Sequence, residues 1–250
     1  MQQIKKITFQ KGRALICAPI TGKTLADIEA QCGMVLEEKP DIIEFRADFL
    51  NEPTSQNICE ALERINALLP EFPMIFTLRR PEEGGFCELS DEQRHKILLD
   101  VLDMNIIDVL DVELFSPRNI VESILSKCKQ KNIYSILSNH DFKKTPLTHE
   151  ILDILSAMQS TGCDIAKIAY APKTIEDVLA VLQAKKMFCQ THPDMLVIAI
   201  SMGEIGLVSR AAAGLFGSCV TYAKLGDGSA PGQITIKNLN EFNELLNLKQ

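Results

Sequence analysis

No apolar stretch in this 250-residue chain approaches the roughly 20 residues a bilayer-spanning helix needs, so no membrane association is expected. Positive charge is in deficit: 26 Lys and Arg stand against 33 Asp and Glu, a net charge of −7. A nucleic-acid partner held by a basic surface is therefore not expected either. The eight cysteines form no Cys-x-x-Cys pair and the four histidines have no metal-ligand spacing, which argues against a zinc site. No phosphate cradle or dinucleotide fingerprint appears. The chain also lacks any Pro/Gly/Ser linker, internal repeat or low-complexity segment, so residues 1–250 are expected to form one domain. The opening Met1-Gln2-Gln3-Ile4-Lys5-Lys6 is too polar for a signal peptide. The cysteines then read as reduced, mostly buried small hydrophobes of a cytoplasmic protein.

What is present is alternation. At 46% hydrophobic and 24% charged, the composition is that of a globular chain with a sizeable core. Short apolar runs at 14–18, 42–46, 74–78, 106–112, 133–137, 165–169, 196–200 and 219–223 read as strands. Amphipathic stretches near 24–38, 55–69, 90–104, 117–130, 147–161, 174–190, 206–215 and 233–248 read as helices. Start signals stand at Thr24, Ser90, Ser116-Pro117 and Thr174. Eight strands alternating with eight helices in about 250 residues match the arithmetic of a (β/α)8 TIM barrel. A doubly wound sheet would more often have fewer strands and a glycine-rich first turn. The residues before the first strand form a short N-terminal extension placed to cap the barrel bottom.

Lys167 stands out inside the apolar run Asp164-Ile165-Ala166-Lys167-Ile168-Ala169-Tyr170. Lysine is rarely fully buried without a partner, because removing its ammonium from water is costly or forces deprotonation. A neutral lysine is a nucleophile toward carbonyls. The competing reading is a lysine snorkelling from a strand end to solvent.

In a barrel the chemistry belongs at the C-terminal strand ends, and the unusual polar residues gather there. Strand two ends Glu44-Phe45-Arg46-Ala47-Asp48, with Glu44, Arg46 and Asp48 on one side; these form either part of a site or a structural ion-pair network. Arg79 continues strand three toward the mouth, and the loop that follows carries Glu83 beside Gly84 and Gly85. Asp111 and Glu113 share a face of strand four, and strand five runs into His140. Ser209-Arg210 follows strand seven, and Ser229 to Gln233 follow strand eight. Arginines bind carboxylates in a bidentate fashion, whereas Lys with His attacks a carbonyl and moves protons. The implied substrate is a small hydroxylated keto acid. The glycines around 226–233 suggest a closing lid.

These stretches resemble type I 3-dehydroquinate dehydratase over essentially the whole chain. The likeness runs through Thr21-Gly22-Lys23-Thr24, Glu44 to Asp48, Thr77-Leu78-Arg79, Glu83-Gly84-Gly85 and Asp111 to Phe115. It continues in Ser138-Asn139-His140-Asp141-Phe142, Lys167-Ile168-Ala169, Gly206 to Arg210 and Ser229-Ala230-Pro231-Gly232-Gln233. The resemblance implies a homodimeric (β/α)8 barrel with no metal or organic cofactor, acting on 3-dehydroquinate. It implies that Lys167 forms an imine with the substrate ketone, that His140 is the general acid and base, and that Glu83 orients His140. It further implies that Arg210 clamps the carboxylate and that Glu44, Arg46, Arg79, Ser229 and Gln233 bind hydroxyls and carboxylate.

Two other readings remain open at this point. A class I aldolase shares the barrel and the lysine but mostly takes phosphorylated sugars through a glycine-rich site. A metabolite-binding barrel without catalysis would need neither Lys167 nor His140.

Overall fold

The protein, seen in a computed structural model, is described over residues 3–4, 7–9, 12–226 and 234–246. Two short antiparallel strands, β1 (Gln3–Ile4) and β2 (Ile7–Thr8), precede the main sheet. Then follow, in alternation, β3 (Leu15–Ile20), α1 (Leu25–Glu38), β4 (Ile42–Arg46), α2 (Ser55–Leu68), β5 (Met74–Thr77) and α3 (Asp91–Met104). Next come β6 (Val109–Glu113), α4 (Arg118–Lys131), β7 (Tyr134–Asp141), α5 (Thr148–Ser160), β8 (Ile165–Tyr170) and α6 (Ile175–Thr191). The chain ends in β9 (Leu196–Ser201), α7 (Leu207–Ala211), β10 (Val220–Tyr222) and α8 (Ile236–Leu245).

Strands β3 to β10 are all parallel, with β10 pairing β3 at one edge of the ladder. The amide of Cys219, entering β10, donates to the carbonyl of Val197 in β9 at 3.0 Å and brings the ends together. The result is the expected (β/α)8 barrel. Outward strand residues such as Ile43, Phe45, Phe76, Leu110 and Leu137 pack with the helices in one apolar layer. Inward residues Leu15, Ile42, Ile75, Val109, Ile136, Ile165 and Ile198 fill the lower barrel. Phe9, from the N-terminal segment, joins this inner cluster and meets Tyr134 edge-on at 6.4 Å between ring centroids. Among the described residues no helix is long and apolar enough to cross a membrane.

The helix starts read at Thr24, Ser90 and Thr174 are N-caps, each with a reciprocal bond to the third helical residue. At Ser116-Pro117 the cap is Pro117 and carries no side-chain bond. Several segments differ from their sequence-based bounds, among them the run 133–137, which stays in the sheet as far as Asp141. The run 106–112 enters the sheet only at Val109, because Asn105 turns the chain through a left-handed conformation (φ 56°) that ends α3. Helix 206–215 stops at Ala211; Gly214 passes so close to the backbone of Gly12 and Ala14 that even a Cβ there would collide.

Candidate active site

Period two on the strands builds the site directly above the apolar plug. Two residues beyond Ile42, Ile75, Val109, Ile136 and Ile165 stand Glu44, Thr77, Asp111, Ser138 and Lys167, all buried. A further step of two gives Arg46, Arg79, Glu113 and His140. The lower layer is therefore hydrocarbon and the upper two carry the charge.

Lys167 is 3% exposed. Its Nζ donates to Asp111 Oδ2 at 2.8 Å, Glu44 Oε1 at 3.3 Å and the Tyr222 hydroxyl at 2.9 Å. It also stands 4.7 Å from the centroid of the Tyr222 ring. Lys167 is thus held inside the barrel by two carboxylates and a phenol, and does not snorkel.

Arg79 is 3% exposed, and its terminal nitrogens meet protein groups. Nη1 donates to Glu113 Oε1 at 2.8 Å, Ser138 Oγ at 2.8 Å and Asp111 Oδ1 at 3.2 Å, while Nη2 donates to Asp111 Oδ2 at 3.0 Å. Burial pushes the Asp111 carboxyl upward, but Arg79 and Lys167 outweigh it and hold it well below the usual carboxylate range. Glu44 follows the same pattern more mildly: burial raises it, Lys167 and Arg46 lower it, and the net direction is down. Arg46 grips Asp48 through two bonds of 2.8 Å and lies over the Phe49 ring.

Glu83 comes from the turn after β5. Gly84 there adopts a left-handed conformation (φ 84°), and Gly85 lies against the carbonyl of Arg79 where no Cβ would fit. The turn folds back over β7, so that Glu83 Oε2 accepts from the backbone amide of His140 at 2.8 Å and lies 2.9 Å from its Nδ1. Burial, with Glu113 nearby, pushes the Glu83 carboxyl up to about 8. Burial, then Arg79 and Lys167, drive the His140 imidazole well below its ordinary value. Both directions favour one arrangement, a protonated carboxyl against a neutral imidazole. Oε2 already accepts from the His140 amide, so the carboxyl proton belongs on Oε1, Nδ1–H donates to Oε2, and the unprotonated Nε2 is left as the working nitrogen. Lys167 pairs across the ladder with Ser138, and His140 with Ala169, so the imidazole stands one inward step above the amine on the neighbouring strand.

Arg210, on α7, is largely withdrawn from solvent and has no carboxylate partner among the described residues. Its Nη1 reaches only the Tyr222 carbonyl at 3.5 Å, and its Nε is buried without a hydrogen bond. Burial lowers its pKa from the ordinary guanidinium value. The hydroxyl of Ser201, at the end of β9, is likewise buried without a partner. A buried guanidinium with unmet hydrogen-bonding capacity suits an anionic, oxygen-rich ligand, whereas Ser201 shares the outward parity of Val197 and Ala199. Ser229, Gln233 and all of the 226–233 segment except Gly226 lie outside the described residues.

The structure thus brings Lys167, Glu44, Arg79, His140 and Glu83 into one site, with Arg46 joined through Asp48. Sequence reasoning missed Tyr222 and gave no role to Asp111 or Ser138. The signal for the last two was present, since both share the inward parity of Glu44 and Lys167. Among the described residues no cluster of three His, Cys, Asp or Glu side chains is arranged to hold a metal ion.

A family model described as type I 3-dehydroquinase matches residues 16–250. A 3-dehydroquinate dehydratase of Klebsiella pneumoniae subsp. pneumoniae is 38% identical over 244 residues, covering 97% of both chains. Another, from Lactiplantibacillus plantarum, is 38% identical across 99% of this chain and 97% of its own. A crystal structure of type I 3-dehydroquinate dehydratase from Clostridium difficile with covalent modified comenic acid superposes with a TM-score of 0.93 at 35% identity, covering 98% of this chain and 96% of that one.

Proposed function

The chain belongs to the type I 3-dehydroquinase family and is a hydro-lyase that dehydrates 3-dehydroquinate in the shikimate pathway; from that premise we propose that it works through a Schiff base on Lys167 with His140 as acid and base. The observation that carries this reading is a barrel-buried amine, Lys167, one inward step from an imidazole whose other nitrogen is fixed by Glu83.

The deprotonated amine of Lys167 adds to the C3 ketone, and the resulting carbinolamine loses water to give an iminium. The iminium draws electrons from the C2–H bond, so His140 Nε2 takes the C2 proton and leaves an enamine. The enamine expels the C1 hydroxyl, which leaves as water with the proton returned by His140. Hydrolysis of the conjugated iminium frees 3-dehydroshikimate and regenerates Lys167. Burial of Nζ keeps the iminium away from bulk water until the elimination is complete.

Arg210, with its unpaired Nε, takes the C1 carboxylate. Glu44, Arg46, Ser229 and Gln233 take hydroxyls and complete the carboxylate contacts. Arg79 contributes by fixing Asp111 and Glu113 beneath the ligand. Glu83 keeps the imidazole in its tautomer and orientation. The enzyme acts in the cytoplasm as a homodimer, which sedimentation of the purified protein would test by showing twice the 27.8 kDa chain mass.

Running the reaction in ¹⁸O-water tests the chemistry. An imine route exchanges the ketone oxygen, so 3-dehydroshikimate carries the label at C3 well above uncatalysed exchange. An enolate route keeps the original oxygen, and unlabelled product would refute the Schiff base. Neither an aldolase nor a non-catalytic binding barrel accounts for family membership over the whole barrel.

A further inference from the structure

We propose that the Tyr222 hydroxyl relays a proton between Lys167 and Glu44 and so generates the free amine that attacks the ketone. The inference rests on the Schiff-base reading above and adds a residue and a proton path to it.

Three observations point to this path. The Tyr222 hydroxyl lies 2.9 Å from Lys167 Nζ, as acceptor, and 3.3 Å from Glu44 Oε1, as donor. The same Glu44 oxygen is fixed from the other side by the Thr77 hydroxyl at 2.9 Å. The Tyr222 ring also stands 4.7 Å from Nζ, a cation–π contact that holds the phenol beside the ammonium.

The step balances as a concerted transfer. An N–H bond of the Lys167 ammonium breaks as its proton passes to the phenol oxygen, and the phenol O–H proton passes to Glu44. Lysine ends as amine, Glu44 as carboxylic acid, and Tyr222 is neutral before and after. Neutrality matters because burial, reinforced by Glu44, pushes the phenol well above its ordinary pKa and disfavours a free phenolate.

Two acids touch Nζ, and their surroundings decide which one takes the proton. Asp111 stays held by Arg79 whatever happens to the lysine. Glu44 is held low chiefly by Lys167 itself. When the lysine gives up its charge, that hold disappears and burial raises the proton affinity of Glu44. The acceptor becomes basic as the donor becomes neutral. Hydrolysis of the product imine runs the relay in reverse.

Tyr222→Phe keeps the ring and removes only the hydroxyl. Rapid-quench borohydride trapping with 3-dehydroquinate measures imine formation on Lys167 separately from turnover. Imine formation is expected to slow about a hundredfold, the low end for a positioned proton-transfer group, because the direct 3.3 Å Lys167–Glu44 contact remains. Imine formation then limits the cycle, so the kinetic isotope effect with C2-deuterated substrate shrinks toward one, which a loss of packing alone would not produce. Glu44→Gln, measured at saturating substrate, should slow trapping similarly, and the double variant should be no slower than the worse single. Trapping at the unsubstituted rate in Tyr222→Phe, or an unchanged isotope effect, overturns the relay alone. Absence of a Lys167 adduct in the unsubstituted enzyme overturns the Schiff-base reading and the relay together.

Discussion

Lys167 Nζ donates to Asp111 Oδ2 at 2.8 Å, and Arg79 Nη2 donates to that same oxygen at 3.0 Å. The shared oxygen explains why two carboxyls at one barrel mouth behave in opposite ways. Asp111, between two cations, stays ionised and anchors the amine. Glu83, with burial and Glu113 outweighing Arg79, is pushed up to about 8 and can share a proton with His140. Environments that separate the proton affinities of like groups mark out acid–base roles.

Replacing His140 by Ala should lower turnover by about 10²–10⁴-fold, the usual contribution of a positioned acid–base group, with the fold intact by circular dichroism. Borohydride should still trap an adduct, because the lysine remains. A variant within tenfold of the parent in turnover would remove the imidazole from the mechanism.

Arg210→Ala should raise KM by about one to two orders of magnitude. A charge-assisted hydrogen bond contributes roughly 1.5–3 kcal/mol, at about 1.4 kcal/mol per decade. Arg210→Lys should recover part of this, since a point charge lacks the planar fork. Unchanged substrate affinity in Arg210→Ala, measured by equilibrium binding, would contradict the clamp.

The Glu83–His140 pair predicts a pH dependence of stability. Glu83 is raised in the folded state, so its contribution is full below its ordinary 4.5 and is lost as pH rises toward about 8. His140 is lowered, so its contribution is full above its ordinary 6.5 and is lost as pH falls. The two slopes oppose one another between 4.5 and 6.5, and only the Glu83 slope remains above. Unfolding free energy should therefore fall by up to about 2 kcal/mol between pH 6.5 and 8, at about 1.36 kcal/mol per unit. Urea titrations of Glu83→Gln should show that fall removed; an unaltered slope would mean that the carboxyl does not hold its proton.

Lys185 on α6 is 1% exposed, and burial lowers its pKa to about 8. A lowered lysine contributes stability above its ordinary value of 10.5 that is lost as pH falls toward 8. Lys185→Met keeps the apolar stem without the charge and should stabilise the protein at pH 7 by up to about 3 kcal/mol, at about 1.36 kcal/mol per unit. The parent should gain on it between pH 8 and 10.5. A melting temperature below the parent's at pH 7 would show that the ammonium has compensating bonds.

Lys167 was legible in the sequence because an ionised group inside an alternating apolar run has only two physical explanations, and the eightfold strand–helix count fixed which end of the strand mattered. Glu44, Asp111 and His140 were legible from the same parity. The role of Arg79 was not, because whether a guanidinium meets protein carboxylates or a ligand depends on the register of neighbouring strands. That register puts Asp111 beside Thr77 and carries Glu113 within reach of Arg79. Tyr222 was hidden for a related reason: a tyrosine in the three-residue strand β10 looks like ordinary sheet packing until closure of the barrel brings it to Lys167. The short α7 was over-extended because the crowding of Gly214 against Gly12 and Ala14 is a contact between distant parts of the chain.

Reduction of the working enzyme with borohydride, followed by peptide mass mapping, tests the central claim most directly. In the presence of 3-dehydroquinate, activity should be lost irreversibly, and a secondary-amine adduct should appear on the peptide containing Lys167. Without substrate, neither should occur. An adduct on another lysine, or none under turnover conditions, would contradict the account.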